Sequence, residues 1–227
     1  SKVVGFDIPK KFESNYYFKA GQFITIEVII KNQTIRRAYS ICSTPLEKTL
    51  RIAVKKLKHG LCSNFLNSEL KIGDIIKINS PEGTFIYNPT NEIKKVIGFA
   101  AGSGITPIYS ILKSFILSNS NNHFTLIYGN KNIEDTMFYF ELKKLEKNYP
   151  DQLTIFWVFS RSSEPNSIFG RIDKSTINNV FKNFSGPLNF YYICGPNNMT
   201  ASIKEININK MISEKNIAYE LFNTNIL

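Results

Sequence analysis

Residues 95–107, KVIGFAAGSGITP, decide the fold of this chain. An apolar run from Lys95 to Ala100 ends in a glycine turn, and apolar positions then recur at helical spacing from Ile105 to Phe115. Pro107 is well suited to the first turn of that helix. A buried strand followed directly by a helix predicts a βαβ unit, and therefore a parallel sheet covered on both faces.

Towards the C-terminus, strand and helix patterns continue to alternate. Further strands are expected at Phe124–Gly129, Leu153–Phe159, Phe190–Cys194 and Ile217–Phe222, with helices at Met137–Lys147 and Asn197–Ser213. Residues 92–227 are thus predicted to form an α/β nucleotide-binding domain.

Towards the N-terminus, the pattern changes to short alternating strands rich in β-branched residues. They are expected at Gly21–Ile30, Arg37–Ile41, Leu50–Val54 and Ile75–Ile78, with a short helix around Ser63–Leu66. This pattern predicts an antiparallel β-barrel over residues 1–91, joined to the second domain by a hinge at Asn88–Asn91.

Composition limits the protein class. The 227 residues are 43% hydrophobic and 20% charged, a globular balance, and no apolar run approaches the roughly 20 residues of a membrane span. Three widely spaced cysteines fit neither a disulfide scaffold nor a metal cluster, so we expect a cytoplasmic protein without a metal site. The net charge is +10, but the basic residues occur as scattered pairs, which does not favour nucleic acid.

Two glycine turns are candidate ligand loops. Gly102-Ser103-Gly104 and Cys194-Gly195-Pro196 each join the end of a predicted strand to the start of a helix. Turns of this kind at the carboxyl ends of parallel strands flank the crevice in which open α/β sheets bind ligands. The alternatives are an ordinary structural turn and, for Cys194, an inert buried thiol.

Two further motifs lie in the barrel. Arg37 and Tyr39 project to one strand face, where they could hold a phosphate and a conjugated ring, although an exposed arginine beside a half-buried tyrosine is the simpler interpretation. Gly60 and the candidate helix cap Ser63 could present free N–H groups to a diphosphate, or form an ordinary N-cap. His59 has no evident partner.

Taken in order, these four motifs resemble the ferredoxin-NADP reductase superfamily. The runs at 37–43, 99–107 and 124–130 look most like the reductase subunits of phenylacetyl-CoA epoxidase and related flavodoxin (ferredoxin) reductases. The resemblance implies a six-stranded barrel that carries FAD, followed by a domain for a nicotinamide nucleotide.

The resemblance also implies roles for residues around the flavin. Arg37 would pair with the FAD diphosphate, Tyr39 would lie against the isoalloxazine, and Ser40 would hydrogen-bond near N5. The other flavin contacts implied are Val54, Lys55, Gly60, Leu61, Cys62 and Ser63. Phe222 would cover the other flavin face, with the acidic Glu220 beside it.

A second set of residues is implied for the nicotinamide nucleotide. Gly102, Gly104, Thr106, Gly195 and Pro196 would line its crevice, with Cys194 near the reacting carbon. Ser160, Arg161 and Arg171 offer a hydroxyl and two guanidinium groups for a 2′-phosphate, which favours NADPH over NADH. Two solvated arginines in a polar loop remain the alternative.

The electron acceptor is the remaining question. Close relatives carry a plant-type [2Fe-2S] domain after the last strand, and this chain lacks the cysteines for one. Either that domain is missing from the sequence, or electrons pass to a separate acidic ferredoxin, flavodoxin or oxygenase component, which the +10 charge suits.

The expected activity is therefore hydride transfer from NADPH to FAD, followed by single-electron release. The alternatives are an FMN-containing oxygenase-type reductase and a nucleotide-binding interaction subunit with little turnover.

Overall fold

The computed structural model describes residues 1–89, 95–182, 190–209 and 214–222, with backbone alone for 206–209 and 214. The expected domain boundary at 91/92 lies outside these residues, as do Thr90 and Asn91 of the expected hinge. Residues 210–213 of the expected last helix and the tail 223–227 also lie outside them.

The first part of the chain is an antiparallel β structure. Its described elements are β1 (Lys2–Phe6), β2 (Phe23–Ile30), β3 (Gln33–Ser40), β4 (Leu50–Val54), α1 (Leu61–Ser68) and β5 (Lys77–Ile78). β2 pairs with β3 and β5, and β1 pairs with β4. A single β-bridge between Ile41 and Ile52 connects these two sheets. A second bridge, between Phe23 and Glu82, adds a further segment at the edge of β2. Alternate residues of β2 are buried in the barrel core, as the period of a strand requires.

The second part is a parallel sheet with helices. Its described elements are β6 (Lys95–Ala101), α2 (Ile105–Ser118), β7 (His123–Asn130), α3 (Tyr139–Asn148), β8 (Leu153–Phe159), β9 (Ser167–Phe169), α4 (Lys174–Phe181), β10 (Phe190–Gly195), α5 (Asn197–Asn209) and β11 (Ile217–Leu221). The strand order is β11-β10-β6-β7-β8-β9, with every pairing parallel. The predicted two-part fold is confirmed.

Three of the described strands and helices were missed by the sequence analysis: β1, β9 and α4. β9 has only three residues, too few for a periodic pattern, and α4 (KSTINNVF) is poor in strong helix formers. Tertiary context supplies what local propensity lacks, because Asp173 caps α4 by accepting from the Thr176 N–H at 2.9 Å and Ile177 is fully buried.

Several predicted boundaries were also wrong. The strand expected at Arg37–Ile41 spans Gln33–Ser40. The helix expected from Met137 begins at Tyr139, because Phe138 has a left-handed backbone with φ of 59°. The strand expected from Ile75 is limited to Lys77–Ile78, and Ile75 is fully exposed in the irregular segment before it.

Helix α2 joins the two parts. It is buried on nearly all sides, because one face covers the parallel sheet and the other contacts the barrel. The Ser110 hydroxyl donates to the Ser43 carbonyl at 2.6 Å, and the Lys113 ammonium lies 2.9 and 3.0 Å from the two carboxylate oxygens of Glu47. These contacts fix the barrel against the parallel sheet. None of the helices described is both long and apolar enough to cross a membrane.

Candidate functional site

The glycine turn between β6 and α2 lies at the switch point of the sheet, where the strand order reverses between β6 and β10. Gly102 has a φ of 55°, which favours glycine, and no other atom would lie within 4 Å of a β-carbon built on it. Gly104 is needed for a different reason, because a β-carbon there would collide with the carbonyl of Cys194 on β10. The two predicted turns therefore meet at the carboxyl ends of neighbouring strands.

A cavity of about 370 Å³, here called the nucleotide cavity, opens at this edge of the sheet. Among the predicted residues, Gly102, Ser160, Arg171, Pro196 and Lys55 line it. Arg161 is exposed and is not among the lining residues, although its N–H donates to the Lys131 carbonyl at 2.9 Å. The cavity thus has the cations and the open glycine backbone that a dinucleotide needs.

Several residues that line the nucleotide cavity were not predicted from the sequence, and Asn130 and Lys131 are two of them. Asn130 ends β7 and Lys131 follows it, and both line the cavity beside Arg171. The rule that ligands bind beyond the carboxyl ends of parallel strands could have identified both of them, because each lies at such an end.

A second cavity of about 160 Å³, here called the flavin cavity, lies between the two parts of the chain. Its lining comes from three distant stretches of sequence. The barrel contributes Tyr39, Ser40, Lys55 and Ser63, the turn and helix after β6 contribute Ser103 and Thr106, and the chain after β11 contributes Phe222. Lys55 lines both cavities, so the two sites are adjacent.

Arg37 and Cys62 lie beside Tyr39, although only Tyr39 of the three lines the flavin cavity. Burial raises the pKa of the Tyr39 phenol well above its usual range, with a contribution from hydrogen bonding to Cys62, while the Arg37 guanidinium acts in the opposite direction. Burial likewise raises the pKa of the Cys62 thiol, which makes it a poor nucleophile. Among the described residues, the Arg37 guanidinium donates a hydrogen bond only to the neighbouring Arg36 carbonyl, at 2.7 Å. The group is therefore available to an anion.

Helix α1 presents its N-terminus next to this cluster. Its N-cap is Gly60, not Ser63 as predicted, because the helix begins at Leu61 and the Ser63 hydroxyl donates back to the Gly60 carbonyl at 3.0 Å. No side chain caps the helix, so its first N–H groups can bind an anion such as a diphosphate. Leu61 is half exposed there, whereas Val54 is fully buried in the barrel core.

Glu220 carries a largely buried carboxyl group that interacts with Ser40, a residue of the flavin cavity. It is paired in register with Cys194, and its Oε2 atom has no hydrogen-bond partner among the described residues. Burial raises the pKa of Glu220 to about 7, and hydrogen bonding to Ser40 lowers it. A group of this kind can hold or release a proton near neutral pH.

Cys194 is fully buried and is not among the lining residues of either cavity. Burial raises the pKa of its thiol well above the ordinary value, and the nearby Glu220 adds to this. In this structure its backbone shapes the crevice through Gly104, while its side chain is enclosed. Gly195 is less confined than Gly104, since the atom that lies 2.5 Å from a β-carbon there is Met199 Cε, the end of a flexible side chain.

Lys55 connects the barrel to the loop after β7. Its ammonium donates to the Asp135 carbonyl at 3.0 Å. Burial lowers the pKa of Lys55, the Asp135 carboxylate raises it, and Lys131 lowers it. Two neighbouring cations at one cavity wall favour a phosphate-bearing ligand. Among the described residues, no group of three or more His, Cys, Asp or Glu side chains could hold a metal ion.

Comparisons with known proteins agree with this geometry. A family model described as an oxidoreductase FAD-binding domain matches residues 2–87, and one described as an oxidoreductase NAD-binding domain matches residues 99–205. The first match covers the barrel, and the second covers most of the parallel sheet.

Curated relatives are considerably longer than this chain. One of the subunits of 1,2-phenylacetyl-CoA epoxidase from Escherichia coli (strain K12) is 30% identical over 229 residues, covering 98% of this chain and 64% of that protein. The ferredoxin reductase component of 3-ketosteroid-9-alpha-monooxygenase from Mycobacterium tuberculosis (strain CDC 1551 / Oshkosh) is 34% identical over 166 residues, covering 72% of this chain and 46% of that protein. The chain therefore spans less than two thirds of either relative.

Among solved structures, a ferredoxin NADP+ reductase from Neisseria gonorrhoeae with bound FAD and NADP matches with a TM-score of 0.79. The match covers 96% of this chain and 91% of that one, at 22% sequence identity. At this identity the likeness establishes the fold.

Proposed function

The chain belongs to the flavoprotein oxidoreductases that join an FAD-binding domain to an NAD-binding domain in the ferredoxin-NADP reductase fold, and from this premise we propose its reaction. It takes hydride from NADPH onto FAD and passes single electrons to an iron-sulfur or flavodoxin-type acceptor. Bound FAD supplies the conversion from two-electron to one-electron chemistry. The protein binds and aligns the two rings.

One observation carries the proposal. Tyr39, Thr106 and Phe222, from three distant parts of the chain, line a single cavity, and Lys55 connects this cavity to the nucleotide cavity. Adjacent cavities for a flat ring and a phosphate-bearing nucleotide are what direct ring-to-ring transfer requires.

Each flavin-site residue has a role that follows from its position. The Tyr39 ring would pack against the flavin, and Arg37 together with the uncapped start of α1 would hold the diphosphate. Phe222 lines the same cavity and would exclude water from it until the nicotinamide enters. The Ser40 hydroxyl lines the flavin cavity and lowers the pKa of Glu220, so it would be placed to move a proton between the cavity and that carboxyl group.

The primary experiment is anaerobic reduction. The purified protein should be yellow, release FAD and not FMN on heating, and lose its visible absorbance when NADPH is added. FMN on chromatography would favour the oxygenase-type alternative. A protein that binds nucleotide but is not bleached would instead be an interaction subunit with little turnover.

Preference for NADPH is proposed to depend on Arg171, Lys131 and Ser160, which line the nucleotide cavity together. Arg171→Ala should raise the KM for NADPH about tenfold and change the KM for NADH much less, as expected when a charged hydrogen bond to phosphate is lost. Arg36→Ala is the matched control, because this exposed barrel arginine pairs with Glu27 at 2.6 Å. Equal effects of Arg171→Ala on both nucleotides would refute the assignment.

The acceptor is proposed to be an acidic one-electron carrier, such as a ferredoxin or flavodoxin, a [2Fe-2S] domain, or an oxygenase component. The net charge of +10 supports this, as do relatives whose names describe them as reductase components of monooxygenases. Electron transfer to an acidic plant-type ferredoxin should slow steeply between about 50 and 500 mM salt, because screening weakens steering of opposite charges. Reduction of FAD by NADPH, measured in the same buffers, is the control.

A further inference from the structure

A buried hydroxyl group lies directly beneath the glycine turn. Tyr128 on β7 is fully buried, and its hydroxyl donates to the Gly102 carbonyl at 3.0 Å and approaches the Met137 carbonyl at 3.3 Å. We propose that Tyr128 is a positioning residue, whose hydroxyl fixes the glycine turn against the loop after β7 and so sets the approach of the nicotinamide to the flavin. This inference rests on the proposed function.

The turn needs support at this point. Gly102 has a left-handed backbone and faces open space on its cavity side, so it has no packing there to hold its orientation. Other parts of the turn are held separately: the Thr106 hydroxyl donates to the Ser103 carbonyl at 3.0 Å, and Gly104 packs on Cys194. The Gly102 carbonyl is held from within the protein by Tyr128.

Residues 131–138, here called the anchored loop, contain the Met137 carbonyl that the hydroxyl approaches. Asn132 organises the loop, since its Oδ1 accepts from the Asp135 N–H at 2.9 Å and its carbonyl accepts from the Thr136 hydroxyl at 2.7 Å. At its end, the Phe138 ring stacks on Tyr109 of α2 with centroids 4.3 Å apart. That stacking holds Phe138 in its left-handed backbone conformation, which is costly for a bulky residue.

The anchored loop also contacts the flavin side of the molecule. Lys55, which lines both cavities, donates to the Asp135 carbonyl at 3.0 Å. A continuous set of contacts therefore runs from Lys55 through the anchored loop to Met137, and from there through Tyr128 to Gly102. The hydroxyl is the link that joins the barrel and the loop to the glycine turn.

Burial keeps this link intact over a wide pH range. It raises the pKa of the Tyr128 phenol well above its usual range, so the group stays protonated and donates. The ring itself packs near Trp157, with centroids 6.1 Å apart, and contributes to the core. A decisive test must therefore remove the oxygen and keep the ring.

Tyr128→Phe does this, and Tyr191→Phe is the matched control. Tyr191 is also buried in the parallel sheet, on β10, but belongs to the apolar cluster on the other side, where it stacks parallel to Phe99. For Tyr128→Phe we expect NADPH-driven flavin reduction in a stopped-flow instrument to slow about tenfold or more, because small misplacements of reacting rings are costly. We expect flavin content to be retained and the Kd for NADP+ by calorimetry to change less than about threefold.

Hydrogen exchange gives a readout that does not need catalysis. The amides of residues 101–107 should exchange faster in FAD-loaded Tyr128→Phe than in the wild type, and Tyr191→Phe should leave them unchanged. Wild-type reduction rate together with wild-type exchange in Tyr128→Phe overturns the proposal. A lower Tm with an unchanged reduction rate also overturns it, because the role would then be structural alone.

A second variant covers the case in which Tyr128→Phe does not fold. Asn132→Ala removes the acceptor that organises the half-exposed anchored loop and should give the same pattern at smaller amplitude. Wild-type behaviour of Asn132→Ala in both measurements would then overturn the proposal. Failure of the wild type to be reduced by either nucleotide refutes the proposed function instead, and the exchange measurement still tests the link.

Discussion

Replacing Glu220 with Gln should remove a pH-dependent cost from the folded protein. The Glu220 carboxyl group is largely buried, and its Oε2 atom has no partner among the described residues. Burial raises its pKa from 4.5 to about 7, with hydrogen bonding to Ser40 acting in the opposite direction. Glutamine has nearly the same shape and does not ionise, so the substitution isolates the charge.

The sign and size of the effect follow from this pKa. Because the folded protein binds the Glu220 proton more tightly than the unfolded chain does, this group's contribution to stability is fully present below about pH 4.5 and is lost as pH rises through 7. A shift in pKa from 4.5 to about 7 lowers the free energy of unfolding by about 3 kcal/mol at alkaline pH. For a chain of this size, that is roughly 6 to 12 °C in Tm.

The assay is urea and thermal unfolding of FAD-loaded protein at pH values from 5 to 9. Glu220→Gln should gain stability relative to the wild type as pH rises, approaching a difference of about 3 kcal/mol by pH 9 compared with pH 5. Glu69→Gln is the control, because Glu69 is exposed at the end of α1 and its replacement should give no such trend. Parallel pH profiles for Glu220→Gln and the wild type would refute the reasoning.

Three other substitutions test the packing and the site. Gly104→Ala should lower the free energy of unfolding by more than about 2 kcal/mol and weaken NADP+ binding, because the new methyl collides with the β10 backbone. The control is Gly5→Ala, whose β-carbon would meet its nearest neighbour at 3.6 Å, and it should be close to neutral by urea unfolding. Lys113→Met should lower the free energy of unfolding by about 1 to 3 kcal/mol, because it removes buried charged hydrogen bonds that join the barrel to the parallel-sheet part. Lys174→Met, which breaks an exposed ion pair at 3.4 Å, should lower it by under about 1 kcal/mol in the same assay. Phe222→Ala should speed flavin reduction or alter nucleotide preference, and unchanged stopped-flow traces for both nucleotides would remove Phe222 from the mechanism.

Local sequence patterns were sufficient to predict those parts of the fold that depend on strand period, helix period and turn residues. The predicted bounds Leu153–Phe159 are those of β8, and the glycine turn after β6 lies where the buried run ends. Such features are visible in sequence because strand period, helix period and glycine's freedom at positive φ act over a few neighbouring residues. The same holds for Arg37 and Tyr39, which share one face of β3 as the period of a strand requires.

The composition of the site depended on contacts across the chain. That Lys55 lines both cavities could not be predicted, since this depends on segments that are distant in sequence. The sequence also left open whether the Cys194 side chain faces the crevice or is an enclosed thiol, and the assembled neighbours of β10 enclose it. The raised pKa of Glu220 has the same origin, because burial is set by the assembled neighbours. The sequence by itself therefore determined the elements and the turns between them, while the tertiary structure alone decided which side chains face a common cavity and which charges lose their water.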